Sequence, residues 1–166
     1  IPYSFAISDA VSGSMNPELF TPSVKRIMIL LLALLSFNLF TAVVNPIPPI
    51  GEIAREFDAL LLVDAVSSVG GVVIDMDAAG ADVVAGASQK CLELPPGLAP
   101  VAVGKRAWDY MESMKNRRVA YILDFMAWRK AYIDQFEWHP QPVTGATTML
   151  YALDWVVDQI IAETIE

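Results

Sequence analysis

Residues 59–100, ALLLVDAVSSVGGVVIDMDAAGADVVAGASQKCLELPPGLAP, decide how this chain folds. ALLLVDAV (59–66) is an unbroken apolar run of strand length, as expected of a strand in a parallel sheet covered on both faces. Gly70 and Gly71 break the chain, VVIDMDAAGA (72–81) forms a crossing segment, and DVVAGAS (82–88) is a second strand candidate. Asp64 stands at the end of the first run and Lys90 just past the end of the second. Two strands that finish side by side would bring an anion and an amine to one edge of a sheet, where open α/β sheets place their ligands.

Working outward, Ile50, Ile53, Ala54 and Phe57 of IGEIAREF follow helical spacing, while Glu52, Arg55 and Glu56 face out. The spacing predicts a short helix starting near Ile50, after an NPIPP segment (45–49) whose prolines break regular structure. Helix, strand, crossover, strand is an α/β arrangement with a right-handed crossover. Downstream, LAPVAV is a third strand candidate leading into KRAWDYMESMK, an amphipathic helix with Trp108, Met111 and Met114 on one side. Residues 117–135 read as another helix with connections, and HPQPVTGATT as a loop. The end of the chain puts Leu150, Leu153, Val157, Ile160 and Ile161 on one face of a packed helix.

Upstream, residues 27–44 carry no charged side chain. A buried helix up to about Leu35 followed by a strand into Val44 accounts for this composition, and it is preferred to a membrane span because Ser36, Asn38 and Thr41 interrupt the run. Residues 1–22, with Pro2, Pro17, Pro22 and Gly13, read as an irregular entry segment.

A 166-residue chain that is 55% hydrophobic can bury a core as a single domain. Its net charge of -8 argues against nucleic acid or an anionic membrane as partner. His139 is the only histidine, which excludes a metal cluster built on histidines. The single cysteine, Cys91, leaves the redox compartment open, with a reducing, cytoplasmic one as the default. No targeting segment can be read at Ile1.

A lysine does covalent chemistry on carbonyl compounds by forming a Schiff base, and burial at a strand end would keep its amine neutral part of the time. Pyridoxal phosphate uses such a lysine, together with a carboxylate opposite its ring nitrogen, a role that suits Asp64. Gln89 can donate to a ring or phosphate oxygen, Val66 could lie against the ring, and Gly86, Ala87 and Ser88 leave room for a flat group. Spacing alone favours a plainer reading: Asp64 caps a turn with Ser67 and Ser68, and Lys90 is a solvated surface residue. Cys91 reads as a small buried apolar residue and His139 as a loop residue.

The run from Val44 to Trp108 resembles the centre of the class V, fold-type I pyridoxal-phosphate aminotransferases, in the serine and alanine glyoxylate aminotransferase branch. The resemblance rests on LLVDAVSSVGG (61–71), SQK (88–90) and PPGLAP (95–100), and continues through YILDFMAWRK (121–130) to LYAL (150–153). NPELFTPSVKRIMILLLALLS (16–36) looks like the family's first long helix. Gln89 before the lysine favours this branch over the cysteine desulfurases, which carry His there, and over the aminoethylphosphonate transaminases, which usually carry Asn.

The resemblance implies an α/β fold with a mainly parallel sheet and helices on both faces, residues 1–166 being one domain equivalent to a shortened cofactor-binding large domain. It implies pyridoxal 5'-phosphate as cofactor, Lys90 as the catalytic Schiff-base lysine, and Asp64, Val66 and Gln89 as cofactor contacts. Thr144 matches a threonine that reaches the phosphate of the neighbouring subunit's cofactor, so a homodimer is expected. The substrates implied are a small amino acid and a 2-oxo acid such as glyoxylate or pyruvate.

Departures from the family's pattern leave two alternatives open, a non-catalytic remnant serving as a dimerising module and a membrane-anchored protein held by residues 27–44. The family's Gly-rich phosphate-binding segment does not appear between LLALLS and TAVVNP, and the C-terminal small domain with its substrate-binding arginine is expected to be missing. Leu39 stands where a cofactor-contacting Ser or Thr is expected, with Thr41 matching the end of that turn. Gln141 stands where a phosphate-binding Tyr would be.

Overall fold

The computed structural model describes residues 30–35, 37–38, 43–114, 119–138 and 141–163. Within them, β1 (Leu30–Leu35), β4 (Leu61–Asp64), β5 (Val83–Ala85) and β6 (Val101–Val103) form one sheet in the order β1-β4-β5-β6. The short strands β2 (Phe37–Asn38) and β3 (Val43–Val44) pair antiparallel as a separate ribbon. The helices are α1 (Ile47–Glu56), α2 (Lys105–Ser113), α3 (Phe125–Gln135) and α4 (Thr147–Ala162), with a 3₁₀ turn at Tyr121–Leu123 before α3.

Two of the three pairings are parallel: β1 to β4, with Leu35 opposite Asp64, and β4 to β5, with Asp64 opposite Ala85. β6 runs antiparallel to β5. The segment between them turns back to the same edge without a crossing helix, which is the connection an antiparallel pair allows and a parallel pair does not.

Residues Leu30–Leu35 are a strand, not the end of a helix, which corrects both the composition-based expectation and the likeness of residues 16–36 to a long helix. An apolar run carries no period that separates a buried helix from a buried strand, and pairing with β4 decides the matter by satisfying the backbone. The rest of those expectations, on residues 1–29, lies outside the described residues, as do Leu39, Thr41 and His139. Among the described residues no helix is long and apolar enough to cross a membrane.

Helix α1 begins at Ile47, three residues earlier than its apolar spacing suggested, with proline in its first turn. Amides in a first turn have no partner within the helix, so Pro48 and Pro49 start the helix where they were expected to exclude it. At the other end Asp58 adopts the left-handed conformation (φ +50), and Ala59 donates to the Ala54 carbonyl at 2.8 Å. That reversal feeds the chain directly into β4.

The core gathers Ile47 and Ala54 of α1, Leu61, Val63 and Ala65 from β4 and its exit, and Ala79, Ala81 and Val84. Along β4, Leu61 and Val63 are buried while Leu62 and Asp64 are half-buried, so the strand offers alternate residues to this core. Gly51 lets α1 lie against the crossover backbone, because a Cβ there would sit 2.1 Å from the Ala79 carbonyl oxygen. Gly51→Ala is therefore expected to destabilise the fold by about 1–3 kcal/mol through overpacking. A denaturant midpoint equal to that of the parent would show that α1 can move away freely.

A polar network fastens the other end of β4. Asp82 is 4% exposed, and its Oδ2 accepts the Leu61 amide at 2.8 Å. Arg106 of α2 donates Nη1 to both Asp82 oxygens, at 3.3 and 3.1 Å, and Nη2 to the Ala59 carbonyl at 3.2 Å. Asp82 thus ties the start of β4 and the approach to β5 to α2.

Helix α3 is capped by Asp124, whose Oδ1 accepts the Met126 amide at 3.0 Å. Its Arg129 pairs with Glu112 of α2 and lies over the Trp108 ring, 5.0 Å from the centroid. Met114, expected on the packed side of α2 with Trp108 and Met111, is exposed beyond the last turn. Helix α4 forms as its periodicity indicates, but none of its residues is buried. Ile161 is 69% exposed, so the expected packed face is not covered by the described residues. Periodicity tells which face favours burial, not what covers it.

Candidate active site at the carboxyl ends of β4 and β5

The parallel strands β4 and β5 end side by side at Asp64 and Ala85, and the ladder is extended by the Ala65 amide donating to the Ala85 carbonyl at 2.8 Å. Two loops leave this edge, 65–72 after β4 and 86–100 after β5. The first turns back on itself through Ser68, whose amide and hydroxyl donate to the Ala65 carbonyl at 3.0 and 3.3 Å. Gly70 follows in the left-handed region (φ +88).

The glycines let the second loop rest on the first. A Cβ on Gly70 would meet Leu92 Cδ2 at 2.9 Å, and one on Gly71 would meet Cys91 Sγ at 2.7 Å. Cys91 Sγ lies 3.5 Å from the Ser67 carbonyl oxygen and donates to it. The loop bearing Lys90 is therefore held against the loop that follows Asp64. This is the sheet edge at which an acid and an amine were expected from the order of the strands.

Asp64 is half-buried, and its Oδ1 accepts the Val66 amide at 3.0 Å. The plainer reading of this residue as a turn cap is thus met, and the same bond orients the carboxylate. Its second oxygen accepts no bond among the described residues, so a cationic or N–H partner could take it.

Lys90 and Gln89 are both exposed at the turn after β5. Lys90 is thus the solvated surface residue that spacing alone favoured, and the described residues supply none of the burial that its Schiff-base role was expected to draw on. Cys91 is likewise exposed, not a buried apolar residue, because its contact with the first loop covers only one side. Gly86, Ala87 and Ser88, the small residues before them, are buried.

The structure brings Asp64, Val66, Gln89 and Lys90 to one edge, while Thr144 comes from near the other end of the chain. Thr144 is exposed in the segment before α4, in the wall of a cavity of 520 Å³ that Gln141, Trp128 and Leu98 also line. The sequence reading gave no role to Asp82, the first residue of the DVVAGAS strand candidate, and took Ser88, the last, only as a small residue leaving room, whereas its hydroxyl bonds join the lysine's loop to the proline segment. A polar residue bounding an apolar run was the available signal for both.

A sequence model of the family described as aminotransferase class-V matches residues 13–166. An uncharacterised aminotransferase of Methanocaldococcus jannaschii is 38% identical, over 74% of this chain and 31% of its own length. The (S)-ureidoglycine–glyoxylate transaminase of Bacillus subtilis is 32% identical, over 91% of this chain and 40% of its own. Among solved structures, an alanine–glyoxylate aminotransferase from Nostoc superposes with a TM-score of 0.66 at 33% identity, over 72% of this chain and 31% of its own. The chain thus spans between 31% and 40% of the length of these proteins.

Proposed function

The chain belongs to the class V aminotransferases, a pyridoxal-5'-phosphate-dependent family of fold-type I architecture, and from that premise we propose that it moves an amino group from a small amino acid of the serine or alanine type to a 2-oxo acid such as glyoxylate or pyruvate. The observation that carries this reading is that parallel β4 and β5 end side by side, with the loop that bears Lys90 bonded to the loop that follows Asp64 through Cys91 and Ser67. The glyoxylate transaminase from Bacillus subtilis and the alanine–glyoxylate enzyme from Nostoc support the choice of acceptor.

The donor set at this edge fits the cofactor: an exposed amine, a neighbouring amide and a carboxylate with one oxygen open to a partner. When bound, pyridoxal phosphate supplies an electron sink for the carbanion left by removal of an α-proton. Lys90 would hold the group through its amine, and the same amine would move the α-proton as general base. Asp64, aligned by the Val66 amide, would keep a proton on the ring nitrogen. Val66 would lie against the ring, and the Gln89 amide would donate to a ring or phosphate oxygen. Thr144 serves a second copy of the chain across a homodimer interface, as the family likeness implies.

A second reading, a chain that keeps the packing of the fold without turnover, is favoured by the exposure of Lys90 and by Gln141 in place of a phosphate-binding tyrosine. Titration with pyridoxal 5'-phosphate, borohydride reduction and peptide mapping separate the two. The proposed function expects a reduced pyridoxyl label on Lys90 and amino transfer to glyoxylate. No label, or a label scattered over surface lysines, would leave the non-catalytic reading standing.

A further inference from the structure

We infer that Ser88 is a positioning residue for Lys90: its buried hydroxyl locks the lysine-bearing turn to the Pro95–Leu98 segment and so sets where the amine stands relative to Asp64. The inference rests on Lys90 being the reactive lysine of the proposed function.

Ser88 is fully buried, while Gln89 and Lys90 directly after it are exposed. Its Oγ donates to the Pro95 carbonyl at 2.7 Å and accepts the Leu98 amide at 3.2 Å. Its backbone adds two more bonds, the amide donating to the Leu98 carbonyl and the carbonyl accepting the Leu94 amide, each at 3.0 Å. Four hydrogen bonds therefore meet on one residue two positions before the lysine, and they close residues 88–98 into a ring.

Inside that ring the Glu93 amide donates to the Lys90 carbonyl at 2.8 Å, and Glu93 sits in the left-handed region (φ +55). A residue other than glycine stays there when its surroundings over-determine it, and the bonds at Ser88 supply that constraint. An exposed lysine has little packing of its own to aim it, so its direction comes from the backbone it leaves. Ser88 touches none of the reacting atoms, and its effect passes through the turn.

Ser88→Ala removes the hydroxyl and leaves the Pro95 carbonyl and the Leu98 amide without that partner. The expected result is that Lys90 still takes the pyridoxyl label, while kcat for amino transfer falls by about 10²-fold, the cost of misplacing a reacting group by about 1 Å. KM for the amino donor should change little, and the pH profile of the visible absorbance of lysine-bound pyridoxal should shift. Ser88→Cys, which keeps a weak donor, should recover part of kcat, and it carries the comparison if the alanine variant does not fold. A variant with a lowered thermal midpoint but parental kcat and pH profile, measured well below that midpoint, overturns the inference and leaves Ser88 purely structural. An unlabelled Lys90 in the parent overturns the proposed function and this inference with it, whereas a labelled parent with an unaffected Ser88→Ala overturns this inference alone.

Discussion

Lys90→Ala is expected to lower amino transfer by at least the ~10²–10⁴-fold that a positioned proton-transfer group contributes, because it removes both the covalent attachment and the base. The fold should not suffer. Lys90 is exposed, and the bond from the Glu93 amide to the Lys90 carbonyl involves only backbone, which alanine retains. Surface replacements of this kind change stability by roughly 0.5 kcal/mol or less. The measurement is kcat/KM with alanine or serine as donor, read beside a thermal melt. Asp64→Ala makes the contrast, since it should keep the pyridoxyl label on Lys90 while slowing transfer and releasing the Val66 amide from its cap. Equal rates for Lys90→Ala and the parent would remove Lys90 from the mechanism.

Asp82→Ala should cost about 3–5 kcal/mol of folding free energy, the effect of breaking a buried ion pair by deleting one partner. Two groups lose their acceptor at once: the Leu61 amide and, through both carboxylate oxygens, the Arg106 guanidinium. Arg106 is partly exposed, its side chain at 38%, and water can recover some of its share, whereas the Leu61 amide belongs to a residue that is 0% exposed. Since domains of this kind are stable by only about 5–15 kcal/mol, the variant should lose a large fraction of that margin. Urea denaturation monitored by circular dichroism tests it. A loss of about 1 kcal/mol or less would mean that Asp82 behaves as a surface pair. The two variants should also part in kind, one losing chemistry with the fold intact and the other losing the fold.

The strands that frame the site were legible because their chemistry is local. An apolar run ending in Asp64, two glycines, and a second run ending before SQK suffice to place two strands and the loops at their ends. Leu30–Leu35 was not legible: six leucines and alanines have no period, and only the partner strand β4 makes them extended. Pro48 and Pro49 misled in the same way, since a proline blocks the inside of a helix yet suits its first turn, and where that turn falls depends on Ile47 finding the core.

By itself the sequence determined the family, the α/β order, the parallel pairing of β4 with β5, and which residues could serve as acid and amine. These follow from residue identity and spacing, which a chain carries whether folded or not. Only the tertiary structure decided that Lys90 stands exposed on a turn, that Asp64 is already oriented by its own loop, and that Ser88 and Asp82 hold the two ends of the site's framework. The physical reason is that exposure and hydrogen-bond partners belong to pairs of groups distant in sequence, such as Ser88 with Leu98 or Asp82 with Leu61 and Arg106.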